Sequence, residues 1–360
     1  MKIGLQLGYW GDQPPEDAGE LVAAAGRAGF GAVTAAESWG SDAFTPLAWW
    51  GTRAPSARLA TSVAQLSARA PAACAMHALT LDHLSGGRFT LGLGVSGPQV
   101  VEGWYGQPFA RPLARTREYV GIVRDVLARQ APVRSPGPHY RLPYAGPDAS
   151  GLGRPLRSIT HPLRADLPIW LGAEGPRNVA LAGEIADGWL AVFHSPRLAP
   201  MYEEWLAEGL ARPAARRPRD EFEVVAGCQV VVTSDRPAAL AAAKPVTAHY
   251  IGGMGAVDLN FHADLFRRMG FGPAVDEITA RFRAGDRAGA AAAVPDELID
   301  EISIIGDEPR VRTAIAQREA LGVSMLLVGC RSVTEIATLA RVAGLPGANT
   351  VPGPGALPKK

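Results

Sequence analysis

LATSVAQLSARAPAACAMHALTLDHLSGGRFTLGLGVSG, residues 59–97, decides the fold of this chain of 360 residues. It opens on LATSV and closes on RFTLGLG, two apolar runs typical of buried strands, and PAACAMHALTLDHL between them is typical of a helix. Two strands joined through a helix form a βαβ unit, in which the strands run parallel. In the turn SGGR, the glycines supply left-handed conformations and Arg88 is expected to anchor neighbouring carbonyls.

The same alternation of strands and helices extends in both directions from this unit. KIGLQLG and GAVTAAE precede it, and LPIWLGA, DGWLAVF, EFEVVAGCQVVVT and SMLLVG follow it, each separated from the next by a helical segment. Eight strands in this order favour closure into a (β/α)₈ barrel, a TIM barrel, over an open Rossmann sheet. We therefore predict a single α/β domain over residues 1–344 and a flexible C-terminal tail over residues 345–360.

Two segments interrupt the alternation, at about residues 131–166 and 252–295. The first is rich in Pro, Gly and Arg, and the second contains GGMG, FGP and an alanine run. Both are expected to be insertions at the carboxyl-end mouth of the barrel. Connections of this length serve as lids or binding loops, or are simple surface excursions, and the sequence leaves both possibilities open.

Composition and charge narrow the class of partner. Hydrophobic residues make up 47% of the chain and charged residues 20%, enough for a buried core, and the formal net charge of +1 includes no polybasic stretch. The charge distribution therefore gives no electrostatic reason to expect binding to nucleic acid or to an anionic membrane. No apolar run approaches the ~20 residues of a membrane span, and the amino-terminal run is too short for a signal peptide. We expect a cytoplasmic protein with a small-molecule ligand.

Neither the cysteines nor the histidines predict a metal site. Three widely separated cysteines and seven histidines show no metal-ligand spacing. The scarcity of lysine beside abundant arginine, alanine and proline is typical of a high-GC genome, such as an actinobacterial one.

Three segments resemble a known family. Residues 59–97, RTREYV at residues 115–120, and AEGPRNVALAGEIADGW at residues 173–189 resemble the luciferase-like monooxygenase superfamily, and most closely its coenzyme F420-dependent branch. The resemblance extends from Lys2 to about Gly344. It implies a deazaflavin, coenzyme F420, lying across the carboxyl ends of the strands, with FMN as the alternative cofactor. Relatives form dimers, so a homodimer is expected.

The resemblance also implies which residues hold the cofactor. Ser62 and Val63 end the third strand, where the family has a non-proline cis peptide behind the central ring; an ordinary strand end is the alternative. Small residues that leave room for the ring follow the fourth strand: Gly94, Val95 and Ser96.

The turn after the fifth strand is expected to take the cofactor phosphate. Free backbone N–H groups and the helix dipole favour an anion there, although a capped helix with nothing bound is the alternative. Glu174 either accompanies the phosphate, as in flavin-using relatives, or holds a backbone amide. Arg117 matches a phosphate-binding arginine of some flavin-using relatives, and a salt bridge to Glu118 or Asp125 is the competing explanation. The turn comprises Ala173, Glu174, Gly175, Pro176, Arg177 and Asn178.

Candidates for proton transfer depart from the family pattern. Several relatives have a histidine at the end of the second strand, where this chain has Glu37, Ser38 and Trp39. A desolvated Glu37 would serve as acid or base, Ser38 would orient the cofactor or a substrate, and Trp39 would form an aromatic wall. His194, after the sixth strand, is the second candidate for proton donor.

Three further side chains are predicted on the substrate side, with simple packing as the alternative: Gln65, Trp104 and Tyr105. A family acid expected just after the fourth strand falls on Gly97 or Pro98, so that role is vacant.

These observations predict an F420-dependent oxidoreductase that moves a hydride between C5 of the deazaflavin and an activated carbon of a small molecule or peptide. The narrower hypothesis is reduction of a C=C or C=N bond in specialised metabolism. The alternatives are an FMNH₂-dependent monooxygenase on the same fold and a non-catalytic cofactor-binding protein.

Overall fold

The strands lie where the apolar runs predict them. The computed structural model describes residues 1–255 and 260–351. Its strands are β1 (Lys2–Gln6), β2 (Ala32–Ala35), β3 (Arg58–Thr61), β4 (Ala64–Gln65), β5 (Phe89–Gly94), β6 (Ser135–Pro136), β7 (Arg141–Leu142), β8 (Ile169–Gly172), β9 (Gly188–Ala191), β10 (Glu223–Gly227), β11 (Gln229–Val232), β12 (Ser303–Gly306) and β13 (Met325–Val328).

Eight of these strands close into a parallel barrel. The hydrogen-bonded order is β3-β2-β1-β13-β10-β9-β8-β5, and pairing of β3 with β5 closes the ring. β4 continues the path of β3 and pairs with β5, whereas β11 continues β10 and pairs with β12 outside the ring. The predicted (β/α)₈ barrel is confirmed.

Helices surround the barrel. They are α1 (Ala18–Ala28), α2 (Phe44–Trp50), α3 (Pro71–Leu84), α4 (Pro98–Gly103), α5 (Pro112–Ala128), α6 (Pro176–Ile185), α7 (Ala199–Leu210), α8 (Arg236–Gly252), α9 (Phe261–Phe266), α10 (Gly272–Arg283), α11 (Arg287–Ala292), α12 (Asp296–Ile302), α13 (Glu308–Ala320) and α14 (Val333–Val342). No helix in the described ranges combines the length and the apolar character that crossing a membrane requires.

Two separate apolar clusters explain why the sequences of the strands are continuous apolar runs. Parallel strands are covered on both faces, so both faces must be apolar. One set of side chains fills the barrel interior: Ala32, Ala60, Trp170, Leu190, Val225, Met325 and Leu327, with Val63 packed against them. The larger cluster lies between the strands and the surrounding helices.

The turn before β5 has the predicted geometry. Gly86 and Gly87 have φ values of 64° and 84°. Arg88 donates from Nε to the carbonyl of Ser85 at 2.8 Å, and its Nη1 donates to the carbonyls of Ala54 and Ala57. This arginine therefore fixes the turn between α3 and β5.

The two insertions differ in position. Residues 131–166 connect the end of α5 to the start of β8 and pack along the outer helices, since Arg164 is ion-paired with Asp82 of α3 and Glu118 of α5 accepts the backbone N–H of Tyr140. These contacts join the segment to α3 and α5, and its position at the mouth stays a prediction.

Residues 252–295 are mostly helical in their described part, as α9, α10 and α11; residues 256–259 lie outside the described residues. Of the tail predicted over residues 345–360, Val351 is buried, and residues 352–360 lie outside the described residues.

Candidate active site

The end of the third barrel strand forms the bulge that the resemblance implies. The Ser62–Val63 peptide is cis, so this prediction is confirmed. Ser62 donates from its hydroxyl to that of Thr34 at 2.9 Å. Val63 projects toward the barrel interior, and glycines on the next two strands around the barrel, β5 and β8, make room for it. A Cβ at Gly94 would lie 2.5 Å from Cγ2 of Val63, and one at Gly172 would lie 3.1 Å from its Cγ1.

The bulge is held by Glu37. Its Oε2 accepts the backbone N–H of Gln65 at 2.7 Å, and its own N–H donates to the carbonyl of Val63 at 3.1 Å. The Arg69 guanidinium binds both carboxylate oxygens, at 2.9 Å and 2.5 Å. This arrangement does not favour the predicted acid–base role of Glu37, because both oxygens already accept hydrogen bonds from a cation. Glu37 instead braces the backbone on both sides of the cis peptide.

Replacing Gly94 tests the link between this packing and the expected cofactor. Gly94→Ala would overpack the site beside Val63, which costs about 1–3 kcal/mol. Because Val63 is expected behind the cofactor ring, we expect the affinity for F420 to fall by about tenfold, a change equal to about 1.4 kcal/mol. Fluorescence titration would measure it.

Two controls accompany this variant. Gly121→Ala on α5 adds a Cβ with nothing within 4 Å and should leave the affinity unchanged. The double variant Val63→Ala, Gly94→Ala should recover most of the loss. Equal affinity in wild type and Gly94→Ala would refute the proposed position of the ring.

The turn after β8 presents a helix N-terminus to the mouth. Gly175 caps α6 with φ 76°, a conformation that favours glycine, and Pro176 occupies the first turn. The first N–H bonded back within this turn is that of Val179, to the carbonyl of Gly175. The N–H groups of Arg177 and Asn178 thus precede the helical ladder, as an anion site requires.

Glu174 in this turn is bound by a histidine that sequence reasoning missed. His262 of α9 contacts Oε1 of Glu174 through Nδ1 at 2.8 Å. Oε2 of Glu174 is buried and has no partner among the described residues. Burial lowers the pKa of His262, but the charge of Glu174 and its hydrogen bond outweigh burial and raise the pKa above the ordinary 6.5. Glu174 does not hold a backbone amide with its carboxylate, which corrects that expectation.

Comparison with known proteins decides the family. The family model described as luciferase-like monooxygenase matches residues 3–325. The chain belongs to the luciferase-like monooxygenase family. It is 63% identical over 340 residues to a Mycobacterium tuberculosis protein named as a candidate coenzyme F420-dependent oxidoreductase, covering 94% of this chain and 98% of the relative.

More distant members support the same assignment. The 5,10-methylenetetrahydromethanopterin reductase of Archaeoglobus fulgidus is 31% identical over 259 residues, which is 72% of each chain. The structure of the coenzyme F420-dependent tetrahydromethanopterin reductase from Methanopyrus kandleri superposes with a TM-score of 0.75 at 24% identity, covering 91% of this chain and 92% of that one. The structural likeness establishes the shared fold of these luciferase-like proteins.

Arg117 of this luciferase-like chain has a different partner from those expected. Its Nη1 and Nη2 donate to the two carboxylate oxygens of Glu184 on α6, at 2.5 Å and 2.7 Å, rather than to Glu118 or Asp125. The hydrogen bond from Arg117, with help from Arg212, lowers the pKa of Glu184 to about 2. Arg117 would have to leave this pair to contact a phosphate.

His194 is buried behind the strands rather than presented to the mouth. Its ring packs against Trp189 and Tyr202, and only 4% of the residue is exposed. Burial, together with the charge of Arg318, lowers its pKa to about 4. His194 is neutral at pH 7 and carries no proton to donate as an acid, which corrects its predicted role.

The remaining predicted residues lie around the second and fourth strand ends. Tyr105 donates from its hydroxyl to the carbonyl of Ser38 at 3.5 Å, which joins the segment after β5 to that after β2. Trp39 and Trp104 are exposed, at 54% and 62%. Ser96 has a φ of 65°, unusual for a residue with a side chain. Gln65 donates to the carbonyl of Glu37, and its buried Oε1 has no partner among the described residues.

A cleft of about 790 Å³ opens on the carboxyl-end face, and none of the predicted site residues lines it. It lies between the ends of β1 and β13 and the unpaired edge of β11, with Leu7, Gly8, Val231 and Cys330 in its lining. Gly8 accepts the N–H of Ala36 next to Glu37, so the cleft borders the segment that holds the bulge. Its size is that of a small-molecule site.

Proposed function

We propose that this chain is a coenzyme F420-dependent oxidoreductase. The observation that carries the proposal is the packing of Val63 between Gly94 and Gly172 at the barrel mouth. The names of its relatives in Mycobacterium and Archaeoglobus support it, because one is assigned to F420-dependent oxidoreduction and the other is a reductase of a small-molecule substrate.

The residues present suit a deazaflavin. Val63 would support the central ring from behind, with Glu37 and Arg69 keeping the bulge in place. The first turn of α6 would bind the phosphate through the N–H groups of Arg177 and Asn178. Gln65 Oε1 is an acceptor without a partner among the described residues, as an N–H at the edge of a pyrimidine ring would require.

When bound, F420 would supply hydride chemistry at C5. The chain would orient the substrate against that atom and exclude water. Tyr105, Ser38, Trp39 and Trp104 would form the wall on the substrate side. The narrower proposal is reduction of an activated C=C or C=N bond of a small molecule or peptide in specialised metabolism. A cytoplasmic homodimer is proposed on the resemblance alone.

The geometry lends little support to the FMN alternative. Glu174 and Arg117 are the residues that match flavin-using relatives, and both have other partners, His262 and Glu184. An FMN phosphate would have to displace the Arg117 pair to gain that arginine.

Cofactor titration tests the proposed function. The purified protein should bind F420 at least about tenfold more tightly than FMN, a difference of about 1.4 kcal/mol or more, measured by deazaflavin fluorescence. With reduced F420 and cyclohex-2-enone, the absorbance of the oxidised cofactor should increase without oxygen uptake. Preferential FMN binding with stoichiometric oxygen uptake would indicate the monooxygenase. F420 binding without turnover of any activated alkene or imine would indicate a cofactor carrier.

A further inference from the structure

The helix that carries His262 is held by two neighbouring parts of the chain, the end of α8 and the segment after β9. Asn260 caps α9 by accepting the N–H of Ala263, and it donates to the carbonyls of Tyr250 and Ile251 at the end of α8. Phe266, fully buried, packs against Phe193 at a ring distance of 5.0 Å. These contacts fix the start and the end of the short helix that presents His262.

The surroundings of the imidazole come from several strand ends. Phe193, which follows β9, and Tyr250 of α8 pack edge-on against the ring of His262, at 5.7 Å and 5.0 Å. The Tyr250 hydroxyl is hydrogen-bonded to that of Tyr9, which follows β1. Glu174 follows β8. His262 therefore lies among residues that follow strands on opposite sides of the barrel, at the face where TIM-barrel chemistry takes place.

The two nitrogens of His262 have different environments. Nδ1 is bound to the carboxylate of Glu174, whereas Nε2 has no hydrogen-bond partner within residues 1–255 and 260–351. The side chain is 21% exposed and that of Glu174 is 11% exposed. A buried carboxylate on one nitrogen orients the ring and stabilises its protonated form, which leaves the other nitrogen to meet a ligand.

We propose that His262 is the proton donor of the F420-dependent reaction, acting through Nε2, and that Glu174 is its positioning residue. This inference rests on the proposed function. His262 would take the proton-donor role that a histidine after the second strand has in several relatives. The insertion at residues 252–295 would then contribute a residue to catalysis.

The reaction balances as a two-electron reduction. The double bond of the substrate would gain a hydride at one end, which bound reduced F420 would supply, and a proton at the other end, from Nε2 of His262. The N–H bond breaks, and a new C–H, N–H or O–H bond forms. Neutral His262 then regains a proton from solvent. Oxidation of a substrate is the same step reversed.

Histidine titration by NMR in the cofactor-free protein tests the pair directly. We expect His262 to titrate above 6.5, since Glu174 is the charged group that faces it and burial raises the pKa of the Tyr250 hydroxyl. Glu174→Gln should lower the midpoint of His262. His83, whose Nε2 meets the carbonyl of His161 on the outer surface, is the internal reference. A midpoint below 6.5, or one that Glu174→Gln leaves in place, would overturn the pairing.

Kinetics with reduced F420 and cyclohex-2-enone tests the catalytic role. His262→Gln should lower kcat about 100-fold or more, as loss of a general acid does, and should abolish the decline in rate above the His262 midpoint. F420 affinity should stay within about threefold of wild type, a change of under 1 kcal/mol. The double variant Glu174→Gln, His262→Gln removes the unpaired carboxylate, so a single variant that folds poorly does not obscure the result. His83→Gln should match wild type.

The outcomes distinguish the two proposals. If F420 binds and His262→Gln turns over as fast as wild type with the same pH profile, the proton-transfer role is wrong and the proposed function stands. If the wild type does not bind F420, the proposed function and the catalytic role of His262 both fail, while the NMR titration still reports the ion pair.

Discussion

Replacing Arg69 with methionine is expected to lower the free energy of unfolding by about 3–5 kcal/mol, the usual cost of leaving one partner of a buried ion pair alone. The side chains of Glu37 and Arg69 are 3% and 15% exposed, so water cannot replace the lost cation. The guanidinium also lies 4.9 Å from the ring centre of Phe44, a contact that methionine keeps only as packing. Urea denaturation of the cofactor-free protein would measure the change.

Two comparisons isolate the buried charge as the cause. Arg281 forms an exposed pair with Glu277 on α10, both side chains being about half exposed, so Arg281→Met should lower the free energy of unfolding far less than Arg69→Met does. Glu37→Gln combined with Arg69→Met removes both charges and should recover part of the loss. An Arg69→Met variant no less stable than Arg281→Met would show that Glu37 is not effectively buried.

The Glu37–Arg69 pair is expected to contribute both to the stability of the fold and to cofactor binding. Glu37 accepts the N–H of Gln65 and donates to the carbonyl of Val63, so its carboxylate fixes the chain on both sides of the cis peptide. A residue expected to move protons is thus better explained as a support for the surface on which the ring is proposed to rest. The histidine that several relatives have at this position is therefore not evidence that Glu37 transfers protons.

The parts of the fold that the sequence predicts are those with a local pattern of residues. Buried parallel strands read as short apolar runs, and β5 and β13 lie where RFTLGLG and SMLLVG predict them, because both faces of the sheet are covered. The cis peptide at Ser62 was predicted from family resemblance alone, since no local composition distinguishes it from an ordinary strand end.

The parts that were missed depend on contacts between distant residues. Glu174 and His262 are 88 positions apart, and α9 lies outside the three sequence segments that carry the family resemblance. Helical spacing predicts a salt bridge between Arg117 and an acid of its own helix, but its partner Glu184 is 67 positions away on α6. Helical spacing limits an ion-pair search to residues three or four apart, whereas packing of neighbouring helices brings any two charges together. His194 was placed correctly after a strand, but sequence could not show which way its ring points.

His194 should make the protein lose stability in mild acid. Its pKa of about 4 in the folded state lies below the ordinary 6.5, so the unfolded chain binds more protons between these values. Stability is therefore complete above pH 6.5 and declines as the pH falls toward 4. A difference of this size is equivalent to about 3 kcal/mol. The variant His194→Phe keeps an aromatic ring beside Trp189 and Tyr202. The difference in unfolding free energy, wild type minus His194→Phe, should fall by this amount between pH 7 and pH 4.

His262 provides a control of opposite sign within the same chain. Its pKa is raised in the folded state, so its contribution to stability is complete below 6.5 and is lost as the pH rises through its folded value. His262→Gln should consequently cost more stability at pH 6 than at pH 9, whereas His194→Phe should become less costly, or stabilising, as the pH drops. His83→Gln, a replacement on the outer surface, gives the baseline with which both variants are compared. Equal slopes for the two histidines would mean that Glu174 does not compensate the charge of His262, because burial lowers the pKa of both rings, Arg318 adds to this effect at His194, and the carboxylate of Glu174 opposes it at His262.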